Sequence, residues 1–515
     1  MRRIGIDVGG TNTDAVLLAE GGVIAAVKTP TTEDPTDGIL DALAKLRATG
    51  VLDTTSVDAV MIGTTHFINA VVQRRDLTKV GALRLALPAS ASLPPFCDWP
   101  EDLAAIANGG VWMVEGGHDY DGRMFMPLDR AGVRRAAEEM AERGLEAVAI
   151  TAAFSPLDAR HEEEARSIVA EVLPDASITL SSDLGRIGLL ERENVALMNA
   201  AVTRLAGATI RAFTHALEGS GISAPLFITQ NDGTVADAAM AARFPVYAFA
   251  SGATNSMRGA AYLSGIDDAM VVDVGGTTTD VGELRHGFPR EANTVVRIGG
   301  VRTLFRMPDL LSIGLGGGSH VDLATAKVGP LSVGYRLTRE ARVFGGERLT
   351  ATDIGVASGL LHLGDRARVE ELSPDRVRAV RDEIALMLAE SIDRMKTEAG
   401  EVTLIAVGGG SFLVPDRLEG VQQIVQVPHG DCANAVGAAI AQVSGEVDRI
   451  FRDLSRDDAV AEAVRLATAA AVDAGAAPDA VRIVDIEDMP LAYLPGNALR
   501  VRVRAIGDIA SPSGG

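Results

Sequence analysis

One eight-residue motif occurs twice in this chain of 515 residues. Residues 7–14 read DVGGTNTD and residues 273–280 read DVGGTTTD, so the copies differ only at Asn12 and Thr278. Each copy follows one short apolar run and precedes another, which predicts two strands joined by a glycine turn. The copies lie much further apart than the roughly 20 to 50 residues of a solenoid repeat. The duplication therefore predicts two similar domains that face each other.

Both glycine turns have the composition of a phosphate-binding loop. Glycine lets several backbone N–H groups point at one anion, and hydroxyl or amide side chains add further donors. Asp7 and Asp273 end the preceding strands, where a carboxylate is predicted to hold Mg²⁺. An ordinary hairpin turn is the alternative for either copy taken alone. The predicted phosphate-binding residues are Gly9, Gly10, Thr11, Asn12 and Thr13 in the first copy, and Gly275, Gly276, Thr277, Thr278 and Thr279 in the second.

A third glycine turn follows the apolar run 402–407. We predict that Gly408, Gly409 and Gly410 let an adenosine lie against the backbone, because these residues have no side chain in the way. The alternative is the turn of a dinucleotide-binding βα unit, but its spacing and its later acidic residue are not evident. The sequence contains no Gly-Lys-Ser/Thr of a P-loop. Nucleotide binding is therefore predicted to use the duplicated turns.

Composition and charge exclude several classes of function. The net charge of −21 disfavours phosphate backbones and anionic lipid, so we expect no nucleic-acid partner and no membrane partner. No uncharged apolar run is long enough to span a bilayer, which predicts a cytoplasmic protein. The two cysteines, Cys97 and Cys432, cannot form a disulfide framework, a four-thiolate zinc site or, within one chain, an iron–sulfur cluster.

The order of predicted elements indicates an α/β fold in three parts. Residues 1–190 form the first half, residues 191–450 form the second half with the second phosphate motif and the adenosine motif, and residues 451–515 form a small α/β appendage. Apolar periodicity predicts one long helix over residues 192–217 and a strand over residues 246–249.

These motifs resemble those of the superfamily of sugar kinases, actin and heat-shock chaperone ATPases. Within it, the chain is similar to the hydantoinase A/oxoprolinase family. The resemblance runs to about residue 445 and implies duplicated actin-like (ribonuclease H-like) domains that face a nucleotide cleft and use ATP with Mg²⁺. The segments that carry it are residues 7–14, Gly63-Thr64-Thr65 with Asn69-Ala70, Asn231-Asp232-Gly233, residues 273–281, residues 316–319, Val328-Gly329-Pro330 and Thr352-Asp353.

The resemblance also implies an activity. It indicates an ATP-dependent amidohydrolase subunit that phosphorylates the carbonyl oxygen of a cyclic amide to promote ring opening, together with a B-type partner subunit. A homodimer remains open. By the same resemblance, Asp7, Asp273, Thr64 and Thr65 are the predicted catalytic residues. The predicted substrate residues are His66, Asn69, Asn231, Asp232, Gly316, Gly317, Gly318 and Ser319.

Two other functions stay open at this point. One is a regulatory or scaffold subunit that binds ATP without turnover, and the other is the activation of a ketone for carboxylation. The sequence departs from the family where a substrate could bind: Ile62 stands where a histidine is usual before Gly-Thr-Thr, and residues 251–254 read SGAT where Ser-Gly-Pro-Ala is common. Activators of radical dehydratases share the fold but need cluster cysteines that this chain lacks.

Overall fold

Strands and helices alternate along most of the chain. The computed structural model describes residues 1–19, 22–32, 34–185, 187–292, 294–491 and 496–510. The strands are β1 Arg3–Val8, β2 Asn12–Ala19, β3 Gly22–Pro30, β4 Ala59–Thr64, β5 Val80–Leu87, β6 Asn108–Glu115, β7 Ala147–Ala152, β8 Ser177–Leu180, β9 Leu226–Thr229, β10 Thr234–Asp237, β11 Ala269–Val274, β12 Thr279–Arg285, β13 Phe288–Pro289, β14 Val296–Ile298, β15 Val301–Thr303, β16 Leu310–Ile313, β17 Ser319–Asp322, β18 Lys327–Ser332, β19 Val402–Val407, β20 Val421–Gln426, β21 Gln442–Phe451, β22 Arg482–Pro490 and β23 Leu499–Gly507. The helices are α1 Pro35–Ala48, α2 His66–Gln73, α3 Glu101–Ala107, α4 Arg130–Glu142, α5 Arg160–Val172, α6 Leu189–Gly219, α7 Ala238–Arg243, α8 Ser251–Ser264, α9 Leu337–Glu340, α10 Ala351–Ala357, α11 Pro374–Met395, α12 Ala433–Ile440 and α13 Arg456–Asp473.

Two sheets repeat the same strand order. The first contains β3-β2-β1-β4-β9, and the second contains β16-β12-β11-β19-β20, to which the two-residue strand β13 is added by pairing with the far end of β12. In both orders, the first three strands (β3-β2-β1 and β16-β12-β11) are antiparallel neighbours, and the last two run parallel to the central strand. This repetition of order and direction confirms the predicted α/β fold with duplicated domains, called here the first and second lobes.

Each duplicated motif forms the hairpin that the sequence predicts. Ile4, Ile6 and Leu17 are fully buried, so the alternate apolar residues of β1 and β2 face the core of the first lobe. The turn closes where Gly9 N donates to the carbonyl of Asn12 at 3.1 Å. The second copy closes in the same way, with Gly275 N donating to the Thr278 carbonyl at 2.9 Å.

A separate parallel sheet lies within the N-terminal part of the chain. Its strand order is β6-β5-β7-β8, and α4 and α5 share with it a core that includes Val133, Met140 and Ile150. The predicted long helix is confirmed as α6. The strand predicted over residues 246–249 is wrong, because residues 245–248 form a helical turn that starts at a proline and whose backbone carbonyls are held by Asn231.

Strands from distant parts of the chain complete the first sheet. Beyond β9 it continues as β10-β21-β23-β22, and α13 packs on β21 and β23 through alanines that include Ala459, Ala463 and Ala467. The predicted boundaries at residues 190 and 450 stay predictions. Across the described ranges, none of the helices combines the length and apolar character needed to span a bilayer.

Helices α8 and α12 cross each other between the lobes. A Cβ atom placed on Gly259 of α8 would lie 2.7 Å from the carbonyl carbon of Ala433, and one on Gly437 of α12 would lie 2.6 Å from that of Asn255. On its other side, α12 packs on β1 over Gly5, where a Cβ would lie 2.6 Å from Ala439 N. The three glycines let both helices approach closely enough to bring their first turns to the ends of β1 and β11.

Candidate functional site

The two glycine turns face each other. A Cβ atom placed on Gly276 of the second turn would lie 3.0 Å from Thr11 Oγ1 of the first, so the turns approach to contact distance. Gly408 packs on the second hairpin so closely that a Cβ there would overlap Asp273 Oδ1, and Gly410 N donates to the Val274 carbonyl at 2.7 Å. The three predicted glycine turns therefore meet at one place between the lobes.

Asp7 lies at the centre of this site and is buried. Its Oδ2 accepts a hydrogen bond from Asn434 Nδ2 at 2.9 Å, and the same amide nitrogen lies 3.1 Å from Asp14 Oδ2. Lys28 forms an ion pair with Asp14, its Nζ 2.8 Å from Oδ1. The Asn255 amide lies beside Asp7 and lowers the pKa of that carboxyl. It is not oriented to donate a full hydrogen bond to Asp7 Oδ1.

The carboxylates of the site hold their protons unusually strongly. Burial, with the charge of Asp14 and then that of Asp273, raises the pKa of Asp7 to about 7. Burial raises the pKa of Asp273 to about 6, partly offset by a hydrogen bond from Ser256. Burial likewise raises the pKa of Asp14 and of Asp280. The two predicted metal ligands, Asp7 and Asp273, thus both hold their protons more strongly than an ordinary aspartate.

The residues present fit Mg²⁺. Among the described residues, none donates a hydrogen bond to Asp7 Oδ1, which is fully buried. No group of three His, Cys, Asp or Glu side chains in the described ranges could hold a metal by itself. Mg²⁺ usually binds one or two carboxylates and takes its other ligands from phosphate and water. Asp7 and Asp273 would hold it in this way, and the ion would neutralise charge on a bound triphosphate.

The predicted threonines lie beside Asp7 at the end of β4. A Cβ placed on Gly63 would lie 2.6 Å from Asp7 Oδ1, and one on Gly252, at the start of α8, would lie 3.4 Å from Thr65 Cγ2. Thr64 is buried, and its carbonyl accepts from Ser251 Oγ at 3.4 Å. Half-buried Thr65 is thus positioned at the site together with the first turn of α8.

His66 and Asn69 follow on the first turn of α2. His66 N donates to Thr64 Oγ1 at 3.1 Å, and Asn69 Nδ2 donates to Thr65 Oγ1 at 3.2 Å. Burial lowers the pKa of the half-buried His66 ring. These contacts place both predicted substrate residues next to the predicted catalytic threonines.

Asn231 and Asp232 lie deeper and bind protein groups. Asn231 donates to the carbonyls of Val246 and Arg306 at 3.0 and 3.1 Å and accepts from Ala250 N at 2.7 Å. Asp232 is fully buried, and its Oδ2 lies 3.1 Å from the Arg306 guanidinium. The structure thus shows Asn231 holding the turn before α8, and the substrate role of both residues stays a prediction.

The segment 316–319 lies behind the second glycine turn. Gly317 N and Gly318 N donate to the carbonyls of Gly275 and Gly276 at 3.0 and 2.7 Å. Ser319 Oγ accepts from Gly316 N at 2.8 Å and is buried. These contacts support the second glycine turn, and a contact with substrate stays a prediction here as well.

Four polar residues of the site were missed by the sequence reasoning. Lys28 comes from β3, Asn255 and Ser256 from α8, and Asn434 from α12. Asn434 lies in the first turn of α12 and Lys28 near the end of β3, where asparagine and lysine are common. Only the crossing of α8 and α12 and the register of β3 bring these four residues to the site, and no local sequence pattern predicts the crossing or the register.

The fold and the site define an α/β protein with two duplicated glycine turns that face each other. The family profile described as "Hydantoinase/oxoprolinase N-terminal region" matches residues 3–173, and the one described as "Hydantoinase/oxoprolinase" matches residues 192–365. The chain belongs to the hydantoinase/oxoprolinase family. The resemblance predicted from the motifs is confirmed.

Curated relatives come from more than one kind of enzyme complex. Caprolactamase subunit alpha of Pseudomonas jessenii is 28% identical over 453 residues, which cover 78% of this chain and 61% of the relative. The acetophenone carboxylase gamma subunit of Aromatoleum aromaticum is 27% identical over 424 residues, which cover 74% of this chain and 57% of the relative. The aligned region thus spans about three fifths of the length of these relatives.

Two solved structures have the same fold. The ATP-dependent caprolactamase from Pseudomonas jessenii matches with a TM-score of 0.78 and 22% identity, over 99% of this chain and 88% of that chain. Nucleotide-free acetone carboxylase matches with a TM-score of 0.71 and 18% identity, over 100% of this chain and 89% of that chain. At these identities the likeness establishes the fold.

Proposed function

We propose that this protein is the ATP-binding subunit of an ATP-dependent, Mg²⁺-requiring amidohydrolase that opens a small cyclic amide in the cytoplasm. The observation that carries the proposal is the meeting of the two glycine turns beside Asp7 and Asp273. Backbone donors on two facing walls suit the oxygens of one triphosphate. The caprolactamase relative supports the cyclic amide as substrate class, and its name as a subunit supports a B-type partner.

The chemistry follows from the weakness of an amide as an electrophile. Bound ATP and Mg²⁺ would supply a γ-phosphoryl group whose transfer to the carbonyl oxygen leaves ADP and makes the carbonyl carbon electrophilic enough for water to add. The C–N bond of the ring would then break with the nitrogen leaving as the amine, and a second water would hydrolyse the resulting acyl phosphate to carboxylate and phosphate. The residues of the chain position the reactants, which is the main catalytic task in phosphoryl transfer. Thr11, Thr277 and the turn N–H groups would hold phosphate oxygens, while Thr65 and His66 would face the amide.

A second candidate function is the activation of a ketone for carboxylation. The acetophenone carboxylase relative favours it at nearly the same identity as the caprolactamase relative. Both reactions would begin with phosphorylation of a carbonyl oxygen, so they would share the nucleotide site and differ in the carbonyl compound. Ile62, which stands where a histidine is usual, is fully buried in the core on β4, two residues before Thr64.

The test is ATP hydrolysis by the purified chain with Mg²⁺ and a panel of carbonyl compounds. Stimulation by ε-caprolactam, 5-oxoproline or a hydantoin supports the amidohydrolase, and stimulation by acetone or acetophenone with bicarbonate supports the carboxylase. Each panel is repeated with a B-type subunit added. Binding of ATP in calorimetry with no stimulation under any of these conditions would instead support a subunit without turnover.

Substitutions connect this activity to the site. Asp7→Ala and Asp273→Ala are each expected to abolish hydrolysis, because each removes a carboxylate that would hold Mg²⁺. Asp41→Ala, on the exposed face of α1, is the matched control and should keep full activity. Full activity in Asp7→Ala and Asp273→Ala would refute the assignment of the site.

A further inference from the structure

The third strands of the two sheets occupy equivalent positions but carry different side chains beside the hairpins. In the first lobe, β3 pairs Lys28 with Asp14, and in the second lobe β16 pairs Ser312 with Asp280. Lys28 forms an ion pair with Asp14, whereas Ser312 Oγ donates a hydrogen bond to Asp280. The duplicated lobes have thus diverged, with a cation beside the first hairpin and a neutral hydroxyl beside the second.

Lys28 also contacts a segment that arrives from the second lobe. Its Nζ donates to the carbonyl oxygen of Asp431 at 3.0 Å. Residues 430–434, called here the entry segment, lead from β20 of the second sheet into α12. Three residues after Asp431, Asn434 donates to Asp7 and Asp14. Lys28 and Asn434 therefore fasten the entry segment to the first hairpin at two points.

The entry segment is bonded to the second lobe as well. Gly408 N donates to the Gly430 carbonyl at 2.9 Å, and Gly408 itself packs on Asp273. A chain of contacts therefore runs from Lys28 on the first hairpin, through the entry segment, to the Gly408 turn and the second hairpin. These contacts connect the turns that would hold phosphate with the turn that would hold adenosine.

We propose that Lys28 is a positioning residue that holds the entry segment against the first hairpin and so directs Asn434 toward Asp7. Without the Lys28 ammonium, Asn434 would be the remaining donor to the buried Asp14 carboxylate among the described residues, and Asp431 would lose its anchor. The Asn434 amide would then be drawn toward Asp14 and away from Asp7. The consequence for catalysis rests on the proposed function, whereas the position of the entry segment does not.

The rate at which the Cys432 thiol is modified measures opening of the entry segment, and this measurement does not require enzyme activity. Its thiol is buried, whereas Cys97 is exposed, so a Cys97→Ser background leaves Cys432 as the thiol to follow with Ellman's reagent. Lys28→Met is expected to speed this reaction by about tenfold or more, because loss of the anchor favours local opening. Lys28 lowers the pKa of the Cys432 thiol, so removing its charge alone would slow the reaction. Faster modification thus reports opening.

Matched variants separate the anchor from general loss of charge or stability. Lys79→Met removes a lysine from an exposed position and should leave the rate of Cys432 modification unchanged. Lys28→Arg keeps a cation and should stay near the parent rate, and Lys28→Gln serves if Lys28→Met folds poorly. Thermal unfolding of each variant checks the fold. An unchanged Cys432 rate in both Lys28→Met and Lys28→Gln would overturn the proposal.

Activity then tests the consequence for the site. Lys28→Met should lower kcat for ATP hydrolysis by about tenfold with a smaller change in KM, and Lys28→Arg should recover most of it. If Asp7→Ala is inactive while Lys28→Met matches Lys79→Met in both assays, the proposed function stands and the role of Lys28 is refuted. If Asp7→Ala stays active while Cys432 opens in Lys28→Met, the proposed function is refuted and the anchoring role is supported.

Discussion

The crossing of α8 and α12 makes a quantitative prediction for Gly259→Ala. The new methyl group would lie 2.7 Å from the Ala433 carbonyl carbon, whereas ordinary contact begins near 3.4 Å. The methyl group would also overlap the Ala433 carbonyl oxygen, which is the atom nearest to it, so the helices must separate by well over ~0.7 Å, a shift that overpacked cores accommodate only with strain. Such overpacking costs about 1–3 kcal/mol, set against up to about 1 kcal/mol gained from the helix propensity of alanine.

Gly207→Ala in α6 is the matched control. Its Cβ would meet only the end of the Arg211 side chain, at 3.3 Å, so alanine there brings the propensity gain without a backbone clash. The difference in unfolding free energy between the two variants isolates the packing cost, which we expect to be about 1–3 kcal/mol. Urea or thermal unfolding of both proteins, with and without ATP, measures it.

The pair of glycines sharpens this test. One separation of the helices would accommodate a methyl group at Gly259 and another at Gly437, so the double variant should lose at least about 0.5 kcal/mol less than the sum of the single losses. The rate of ATP hydrolysis should also fall in variants that remain folded, because α8 carries Asn255 and Ser256 and α12 carries Asn434 at the site. Additive losses, or a Gly259→Ala protein that melts like Gly207→Ala, would refute the reasoning.

Two further predictions concern buried charge. The pKa of Asp7 rises from its ordinary 3.8 to about 7 in the folded protein, so its contribution to stability is complete below about pH 3.8 and is lost as the pH rises to 7. In EDTA at pH 8, the Asp7→Asn variant should therefore be more stable than the parent by about 4 kcal/mol and should unfold at a higher temperature. Near pH 4 the two proteins should differ little in stability. A variant that is less stable than the parent at pH 8 would contradict this. Arg84 and Glu193 form a fully buried ion pair, Nε to Oε1 2.8 Å, so Glu193→Gln should cost about 3–5 kcal/mol in urea unfolding, whereas Arg84→Met with Glu193→Leu should cost clearly less.

The hairpins and the duplication could be predicted from the sequence because each copy of the motif is a local pattern. Glycine, threonine and aspartate at fixed positions define each turn, and the alternating burial of β1 and β2 follows from residues close in the chain. The apolar run at 246–249 shows the limit of such reasoning. A short buried run fits a strand or a helical turn equally well, and here Pro245 and the side chain of Asn231 decide for the turn.

The rest of the site depends on contacts between distant residues. Asn434 reaches Asp7 across 427 positions of sequence, and Lys28 reaches Asp431 across 403. Such contacts are set by helix crossing and by strand register, which depend on the whole packed structure. The motifs predicted the backbone of the site, whereas the side chains that tune its carboxylates could only be found in three dimensions.

The interleaved first sheet has a consequence for biosynthesis. The second lobe takes the five strands of its repeat from residues 269–426, so it can form as soon as that stretch has left the ribosome. The first lobe must wait for β21 and β23: β10 keeps an open edge until residues 442–451 emerge, and β21 then keeps one until residues 499–507 follow. The nascent protein therefore completes the lobe that it began first only after the second lobe has been synthesised, and until then strand edges of the first sheet stay exposed.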